Sequence, residues 1–131
     1  MIVIDSNIIL DIVTQDSRWF DWSSSQLKTL AEDYKLLIND VIYSEISISF
    51  EYIEELENIL VDNFIIQPIP KEALFLAGKA FLKYKKLGGT KTSTLPDFFI
   101  GAHASILNVP LLTRDKKRYK NYFPNLEIIA P

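Results

Sequence analysis

Short apolar runs alternate with longer amphipathic segments along the whole chain. The runs are rich in Ile, Leu and Val, and turn-forming residues lie beside several of them, which is typical of buried strands. The segments between them repeat apolar residues every three or four positions, which is typical of helices that cover a sheet. Strands are therefore predicted at residues 2–4, 35–40, 64–66, 110–113 and 126–129.

The predicted helices fill the intervals between these strands. The strongest signal covers residues 71–87, where Leu74, Ala77, Phe81 and Tyr84 share one face and two glycines follow. The other predictions are a short helix from residue 8, helices at 22–33, 41–50, 50–61 and 96–107, a polar loop at 88–95 and a basic helical turn at 114–122.

The alternation of strands and helices favours one fold class. Parallel strands that are joined through helices follow right-handed crossovers, and the helices then cover the faces of the sheet. A chain of 131 residues, of which 48% are hydrophobic, fits one domain with one core. The sequence therefore predicts an α/β sandwich that occupies residues 1–131 as a single domain.

Residue usage narrows the kinds of site that this domain can hold. The chain has no cysteine, which excludes disulfides and thiolate zinc sites, and its single histidine, His103, excludes a histidine-rich metal site. A bound metal would need carboxylate ligands, which favours Mg²⁺ or Mn²⁺. Because the sequence has neither a long apolar run nor a secretory signal, we expect a cytoplasmic protein without a membrane span.

The net charge of −3 conceals a division between the two halves of the chain. Residues 1–62 contain 13 acids and 3 bases, whereas residues 71–131 contain 11 bases and 4 acids. Such asymmetry indicates either an anionic partner for the basic half or two solvated faces that attract each other. Both interpretations stay open at this point.

Four acidic residues lie close to the ends of predicted strands. Asp5 directly follows the first strand, and Glu45 lies one helical turn past the second. Asp97 opens the helix that leads to the fourth strand, and Asp115 follows that strand by two residues. Because ligands of parallel sheets bind outside the carboxyl ends of the strands, these four acids are candidates for one shared site.

Each of these acids also has a purely structural explanation, as a helix cap, a first-turn acid, a turn residue or an exposed helical residue. Two observations favour the shared site. Glu45 shares a helix face with the apolar Val41 and Ile48, and Asp5 lies between two apolar triplets. Two carboxylates ~4 Å apart repel by about 4 kcal/mol at an effective dielectric constant of about 20, and a divalent cation would offset that repulsion.

The motifs that contain these acids resemble the four motifs of the PIN domain family. They are Asp5-Ser6-Asn7 with Leu10, Tyr43-Ser44-Glu45-Ile46, Pro96-Asp97-Phe98-Phe99-Ile100-Gly101-Ala102-His103-Ala104 and Leu111-Leu112-Thr113-Arg114-Asp115. The resemblance extends from Ile2 to Ile129. The length of the chain is similar to that of the VapC-like branch, the toxins of bacterial and archaeal toxin–antitoxin pairs.

This resemblance implies a PIN-like three-layer α/β/α sandwich around a parallel five-stranded sheet of order 3-2-1-4-5. It also implies a VapC-like endoribonuclease that depends on Mg²⁺ (or Mn²⁺), with Asp5, Glu45, Asp97 and Asp115 as catalytic residues. Asp5, Asp97 and Asp115 are then the expected metal ligands, directly or through water. Glu45 is expected to bind a second ion or to orient the attacking water.

Further residues are expected to support such a site. Asn7 and Thr113 would hold carboxylates in place. Tyr119, Tyr122 and Phe123 either stack on bases or belong to the core. The candidates for contacts with the RNA backbone are Lys91, Arg114, Lys116, Lys117 and Arg118.

The resemblance implies three partners: an RNA substrate, a cognate antitoxin and a second copy of the chain in a homodimer. One alternative is a non-catalytic PIN-like module that binds RNA or another partner. A phosphoacceptor receiver domain would need neighbouring acids after the first strand, but Asp5 is followed by Ser6 and Asn7. A dinucleotide-binding domain is disfavoured because no Gly-x-Gly-x-x-Gly follows the first strand.

Overall fold

Five parallel strands form the central sheet of the protein, which a computed structural model describes over residues 1–131. The strands are β1 (Ile2–Ile4), β2 (Leu36–Ile38), β3 (Ile65–Ile66), β4 (Leu111–Leu112) and β5 (Ile128–Ile129). Their spatial order is β3-β2-β1-β4-β5, and every neighbouring pair is parallel. The predicted fold class and strand order are confirmed.

Seven helices connect and cover these strands. They are α1 (Ser6–Val13), α2 (Phe20–Asp33), α3 (Asp40–Ser47), α4 (Ile53–Leu60), α5 (Lys71–Lys86), α6 (Pro96–Leu107) and α7 (Lys116–Lys120). None of them is both long enough and apolar enough to span a membrane.

The segment between α3 and α4 differs from the prediction, which had one helix follow the other at residue 50. Helix α3 ends at Ser47, whose hydroxyl donates to the Ser44 carbonyl at 2.6 Å. Helix α4 begins after Tyr52, whose backbone N–H donates to the Glu55 carboxylate at 3.0 Å. Such a contact satisfies a backbone donor that a helix start leaves free. Because α3 has ended before it, Ile48 is 86% exposed and does not form an apolar face with Glu45.

Helices α5 and α6 pack closely because small residues lie between them. Ala73, Ala77 and Ala80 form the buried face of α5, whereas Leu74 is 45% exposed. The prediction that Leu74 lies on the buried face was therefore wrong. An alanine face allows the two helix axes to approach, and larger side chains there would hold them apart.

Because Gly101 has no side chain, Tyr119 and Phe123 can pack directly against α6. A Cβ atom at this position would overlap the Phe123 ring and would lie 3.0 Å from Cδ1 of Tyr119. Both aromatic residues belong to the core, with 5% of Phe123 and 0% of Tyr119 exposed. The missing side chain thus lets α7 lie against α6, and this packing determines where the tyrosine hydroxyl is placed.

His103 also belongs to the core, where it joins α6 to the start of α3. The Asn39 side-chain oxygen accepts from the Ile42 backbone N–H at 3.0 Å, so its amide nitrogen donates to His103 Nδ1 at 3.1 Å. The imidazole is therefore neutral, and burial lowers the pKa of His103. This residue lies outside the acid cluster.

Two glycine substitutions should change stability in opposite directions. We expect Gly101→Ala to destabilise the protein by about 1–3 kcal/mol, because the added methyl group overpacks the site beneath Phe123 and Tyr119. Gly78→Ala is the matched control on the exposed side of α5, where an added Cβ meets no heavy atom within 4 Å. It should stabilise by about 0.5–1 kcal/mol, since glycine loses more conformational freedom in a helix than alanine does.

Urea unfolding curves of the wild type and both variants measure these free energies directly. If Gly101→Ala were as stable as Gly78→Ala, the close packing of α7 on α6 would be contradicted.

Candidate active site

All four predicted acids lie at the carboxyl edge of the sheet, on four different elements. Asp5 ends β1 and caps α1, and Asp115 precedes α7 after β4. Glu45 lies in α3, and Asp97 is the second residue of α6. Strands β1 and β4 are neighbours at the point where the strand order reverses, which is where open parallel sheets bind their ligands.

Asp5 is the most enclosed of the four, with only 3% of the residue exposed. Its Oδ1 accepts from the Ser6 backbone N–H at 2.7 Å. Its Oδ2 accepts from the hydroxyls of Thr113 and Tyr119, both at 2.7 Å, and lies 3.5 Å from the Asn7 amide nitrogen. Every one of these groups donates to the carboxylate, so together they orient it firmly.

The pKa of Asp5 is raised, mainly because burial disfavours the charged carboxylate. The hydrogen bonds from Thr113 and Tyr119 act in the opposite direction and lower this pKa. The negative charge of Asp97 raises it further, which shows that the two acids are electrostatically coupled.

Thr113 and Asn7 connect the loop after β4 to the loop after β1. Thr113 is completely buried, and its Oγ1 accepts from the Asp115 backbone N–H at 3.0 Å while donating to Asp5. The Asn7 amide nitrogen lies 3.4 Å from the same oxygen, and its Oδ1 accepts from the Arg114 backbone N–H at 3.3 Å. These contacts hold the segments that bear Asp5 and Asp115 in fixed relative positions.

Glu45 joins the cluster through Ser6, which the sequence interpretation did not single out. The Ser6 hydroxyl lies 2.9 Å from Glu45 Oε1 and 3.3 Å from Asp5 Oδ1. The pKa of Glu45 is raised, first by its burial and then by the charges of Asp5 and Asp97. Three of the four acids therefore share one electrostatic environment.

Tyr119 is the most important residue that the sequence interpretation did not place in the site. Its hydroxyl lies 2.7 Å from Asp5 Oδ2 and 3.3 Å from Asp97 Oδ1. Burial and the charges of Asp5 and Asp97 raise the pKa of Tyr119 well above its ordinary value, so it remains a hydrogen-bond donor. An aromatic residue four positions after Asp115 was the only sequence signal, and it indicated base stacking or the core equally well.

Arg118 links Asp115, the fourth acid, to Asp97. Its Nε donates to Asp115 Oδ2 at 2.9 Å, and its Nη1 donates to Asp97 Oδ2 at 3.2 Å. Asp115 is thus turned towards the arginine, and no group of three or more acidic or histidine side chains is drawn together closely enough to hold a metal ion in this arrangement.

Arg114, a predicted RNA contact, makes an ion pair within the protein. Its guanidinium donates to Asp11 at 2.8 Å and 3.0 Å, and its Cζ lies 5.2 Å from the centre of the Trp19 ring. Asp11 is 2% exposed and also accepts from Ser23 at 2.6 Å. A buried carboxylate needs such a partner, so Arg114 has a structural role here. Its contact with RNA stays a prediction.

The other cationic residues that are predicted to contact RNA are exposed. Lys117 and Arg118 line a cleft of about 530 Å³ that opens beside Glu45 and Asp97. Its remaining wall is largely aromatic or polar and is formed by Tyr84, Leu95, Pro96, Phe98, Asn121 and Tyr122. Lys91 lies in the loop before this wall, where its backbone N–H donates to the Tyr84 hydroxyl at 3.2 Å. Acids, cations and aromatic rings therefore meet in one cleft.

Solved structures from several bacteria share this fold. A chain in VapBC2 from Rickettsia felis, bound to a promoter DNA fragment, has a TM-score of 0.75 at 21% identity, with 100% of this chain and 99% of that chain covered. A chain in VapBC-1 from nontypeable Haemophilus influenzae has a TM-score of 0.73 at 18% identity, with coverages of 99% and 98%. A toxin–antitoxin complex from Klebsiella pneumoniae contains a chain with a TM-score of 0.72 at 20% identity, with coverages of 100% and 98%.

No curated protein matches the chain significantly in sequence. The PIN domain family, however, matches residues 2–124, a range that includes all four acids and every residue that orients them. The fold, the order of the strands and this match agree with one another. The chain belongs to the PIN domain family.

Proposed function

We propose that this protein is a Mg²⁺-dependent endoribonuclease of the VapC-like toxin type. The observation that carries the proposal is the convergence of Asp5, Glu45, Asp97 and Asp115 at the carboxyl edge of the sheet, beside a cleft that cations and aromatic rings line. Membership of the PIN domain family supports the same conclusion.

The chemistry of the donors fits a hard divalent cation. The cluster offers carboxylate oxygens without cysteine or histidine, which suits Mg²⁺ or Mn²⁺. The raised pKa values of Asp5 and Glu45 reflect burial and mutual repulsion that a cation would relieve. Asp5, Asp97 and Asp115 are the proposed ligands, with Glu45 either a ligand of a second ion or the residue that orients water.

When bound, Mg²⁺ lowers the pKa of coordinated water and neutralises charge on the phosphate. The residues of the chain supply the positioning. Thr113 and Tyr119 hold Oδ2 of Asp5 at 2.7 Å each, which limits the rotation of that carboxylate. Glu45 is half-buried with a raised pKa, so it is suited to accept a proton from an attacking water.

The cleft beside the acids is suited to a nucleic-acid strand. Lys117 supplies positive charge for phosphate groups, and Tyr84 and Tyr122 supply aromatic surface for bases. Two basic residues of the second half of the chain, Lys117 and Arg118, line this cleft beside Glu45 and Asp97, which supports an anionic substrate.

The neighbouring solved structures support the proposed biology. They include a toxin–antitoxin complex from Klebsiella pneumoniae and VapBC assemblies from other bacteria. For this protein we infer a cognate antitoxin, a homodimer and a cytoplasmic location. The alternative, a non-catalytic PIN-like binding module, would bind RNA without cutting it.

The first prediction concerns RNA cleavage. The purified protein should cleave RNA with Mg²⁺ or Mn²⁺, EDTA should stop the reaction, and Asp5→Asn or Asp97→Asn should reduce the rate at least about 100-fold through loss of a metal ligand. Asp40→Asn is a matched control, because Asp40 is also a first-turn helix acid but lies outside the cluster. Labelled oligonucleotides resolved on gels give the rates.

If the Asp97→Asn variant cleaved RNA at the wild-type rate, with contaminating nuclease excluded, the assignment of the active site to these acids would be contradicted. RNA binding without any cleavage by the wild type would establish the non-catalytic alternative.

The second prediction concerns the repulsion within the cluster. Because the folded-state pKa of Glu45 is raised above its ordinary 4.5, its ionisation destabilises the fold. That destabilisation is absent below the unfolded pKa and grows as the pH rises through the folded one. In EDTA, Glu45→Gln should therefore raise Tm by about 2 °C at neutral pH and have little effect near pH 4.

Glu51→Gln, at an exposed position, should leave Tm unchanged at both pH values. Because Mg²⁺ binds only the folded cluster, it should stabilise the protein. The effect should be smaller for Glu45→Gln, since this variant has lost one acid of the cluster. A lower Tm for Glu45→Gln at neutral pH would show that Glu45 stabilises the metal-free fold, contrary to this reasoning.

The third prediction concerns the homodimer. Several apolar side chains on α5 are exposed, including Phe75 at 69% and Leu82 at 46%, and such surfaces are typical of contacts between proteins. Light scattering should give twice the 15.1 kDa mass of the chain. A mass of one chain at high protein concentration would refute the dimer.

A further inference from the structure

Arg118 is the only cationic side chain that forms an ion pair with any of the four acids. Its Nε and Nη1 atoms contact Asp115 and Asp97, which come from different elements of the fold. Its positive charge also partly opposes the rise in the pKa of Glu45, although it makes no hydrogen bond to that residue. One guanidinium therefore offsets the negative charge of three of the four acids.

Tyr119, the residue after Arg118, also contacts the acid cluster. The two carboxylate oxygens of Asp97 are divided between neighbours in α7, since Oδ1 lies 3.3 Å from the Tyr119 hydroxyl and Oδ2 lies 3.2 Å from Arg118 Nη1. Tyr119 is fully buried, so the backbone that carries Arg118 is held close to the acids. The packing of α7 thus holds the backbone of Arg118 beside the acids.

The ion pairs themselves are accessible to solvent. The side chain of Arg118 is 62% exposed, that of Asp115 is 43% exposed, and that of Asp97 is 23% exposed. Exposed ion pairs of this kind are weak, so a divalent cation that several carboxylates bind can replace them. The released guanidinium would stay in the cleft that it lines, beside Lys117.

We propose that Arg118 is an internal counter-ion of the acid cluster, which neutralises Asp97 and Asp115 without metal, leaves them when Mg²⁺ binds, and then contacts the phosphate group of the substrate. This inference rests on the proposed metal-dependent function. It explains how four acids are tolerated at one edge of the metal-free sheet, and why Asp115 is turned towards Arg118.

Removal of the counter-ion should make metal binding tighter. Mn²⁺ alone, titrated calorimetrically into metal-free protein, should bind Arg118→Gln roughly fivefold more tightly than the wild type, because two weak ion pairs no longer need to be broken. Lys117→Gln is the matched control, since it removes the same charge from the same cleft but breaks no ion pair with the acids. By the same reasoning, this variant should change the affinity for Mn²⁺ less than about twofold.

Nuclear magnetic resonance provides a direct reading of the displacement. The chain has only three arginines, Arg18, Arg114 and Arg118, so their Nε–H signals are few, and the Arg118→Gln variant assigns one of them. Saturating Mg²⁺ should shift the Arg118 signal as its bond to Asp115 is lost. The Arg114 signal should stay in place, because its Nε donates to the buried Asp11 at 2.8 Å.

These outcomes separate the inference from the proposed function. If the wild type binds Mn²⁺ but Arg118→Gln binds it no more tightly than Lys117→Gln, or if Mg²⁺ leaves the Arg118 signal unmoved, the counter-ion is refuted and the nuclease proposal stands. If the wild type binds neither metal ion, both are refuted.

Discussion

The carboxylate of Asp5 sets the main constraint on this structure. It lies at the end of a completely buried strand, where a charged group loses most of its hydration. The protein compensates with donors from three places along the chain: the backbone of Ser6, the hydroxyl of Thr113 and the hydroxyl of Tyr119. The first turn of α1, the end of β4 and the position of α7 are therefore linked through one side chain.

The packing of α7 against α6 then determines the rest of the site. Because Gly101 has no side chain, Tyr119 and Phe123 enter the core beside α6. This approach places Tyr119 between Asp5 and Asp97, and it places Arg118, the preceding residue, between Asp97 and Asp115. The absence of a side chain at Gly101 thus contributes to the positions of Tyr119 and Arg118 beside the acids.

The two arginines that follow β4 pair with acids in different surroundings. Arg114 neutralises the buried Asp11, which is a structural role, whereas Arg118 neutralises acids at the edge of the cleft and remains largely exposed. The pair of Arg114 and Asp11 joins the two halves of the chain, whereas an anionic partner for the basic half stays a proposal. Lys117, by contrast, lines the cleft.

The sequence by itself determined the alternation of strands and helices and the strand ends at which the four acids lie, because apolar runs and the residues beside them are local features. The strand order came from the resemblance of the motifs. Only the tertiary structure decided that α3 ends before Ile48, that Arg114 pairs with Asp11 and Arg118 with Asp97, and that Tyr119 reaches Asp5 across 114 positions of the chain. The ion pairs and the contact of Tyr119 depend on how elements that are distant in sequence pack together, and the local sequence does not reveal which carboxylate each side chain meets.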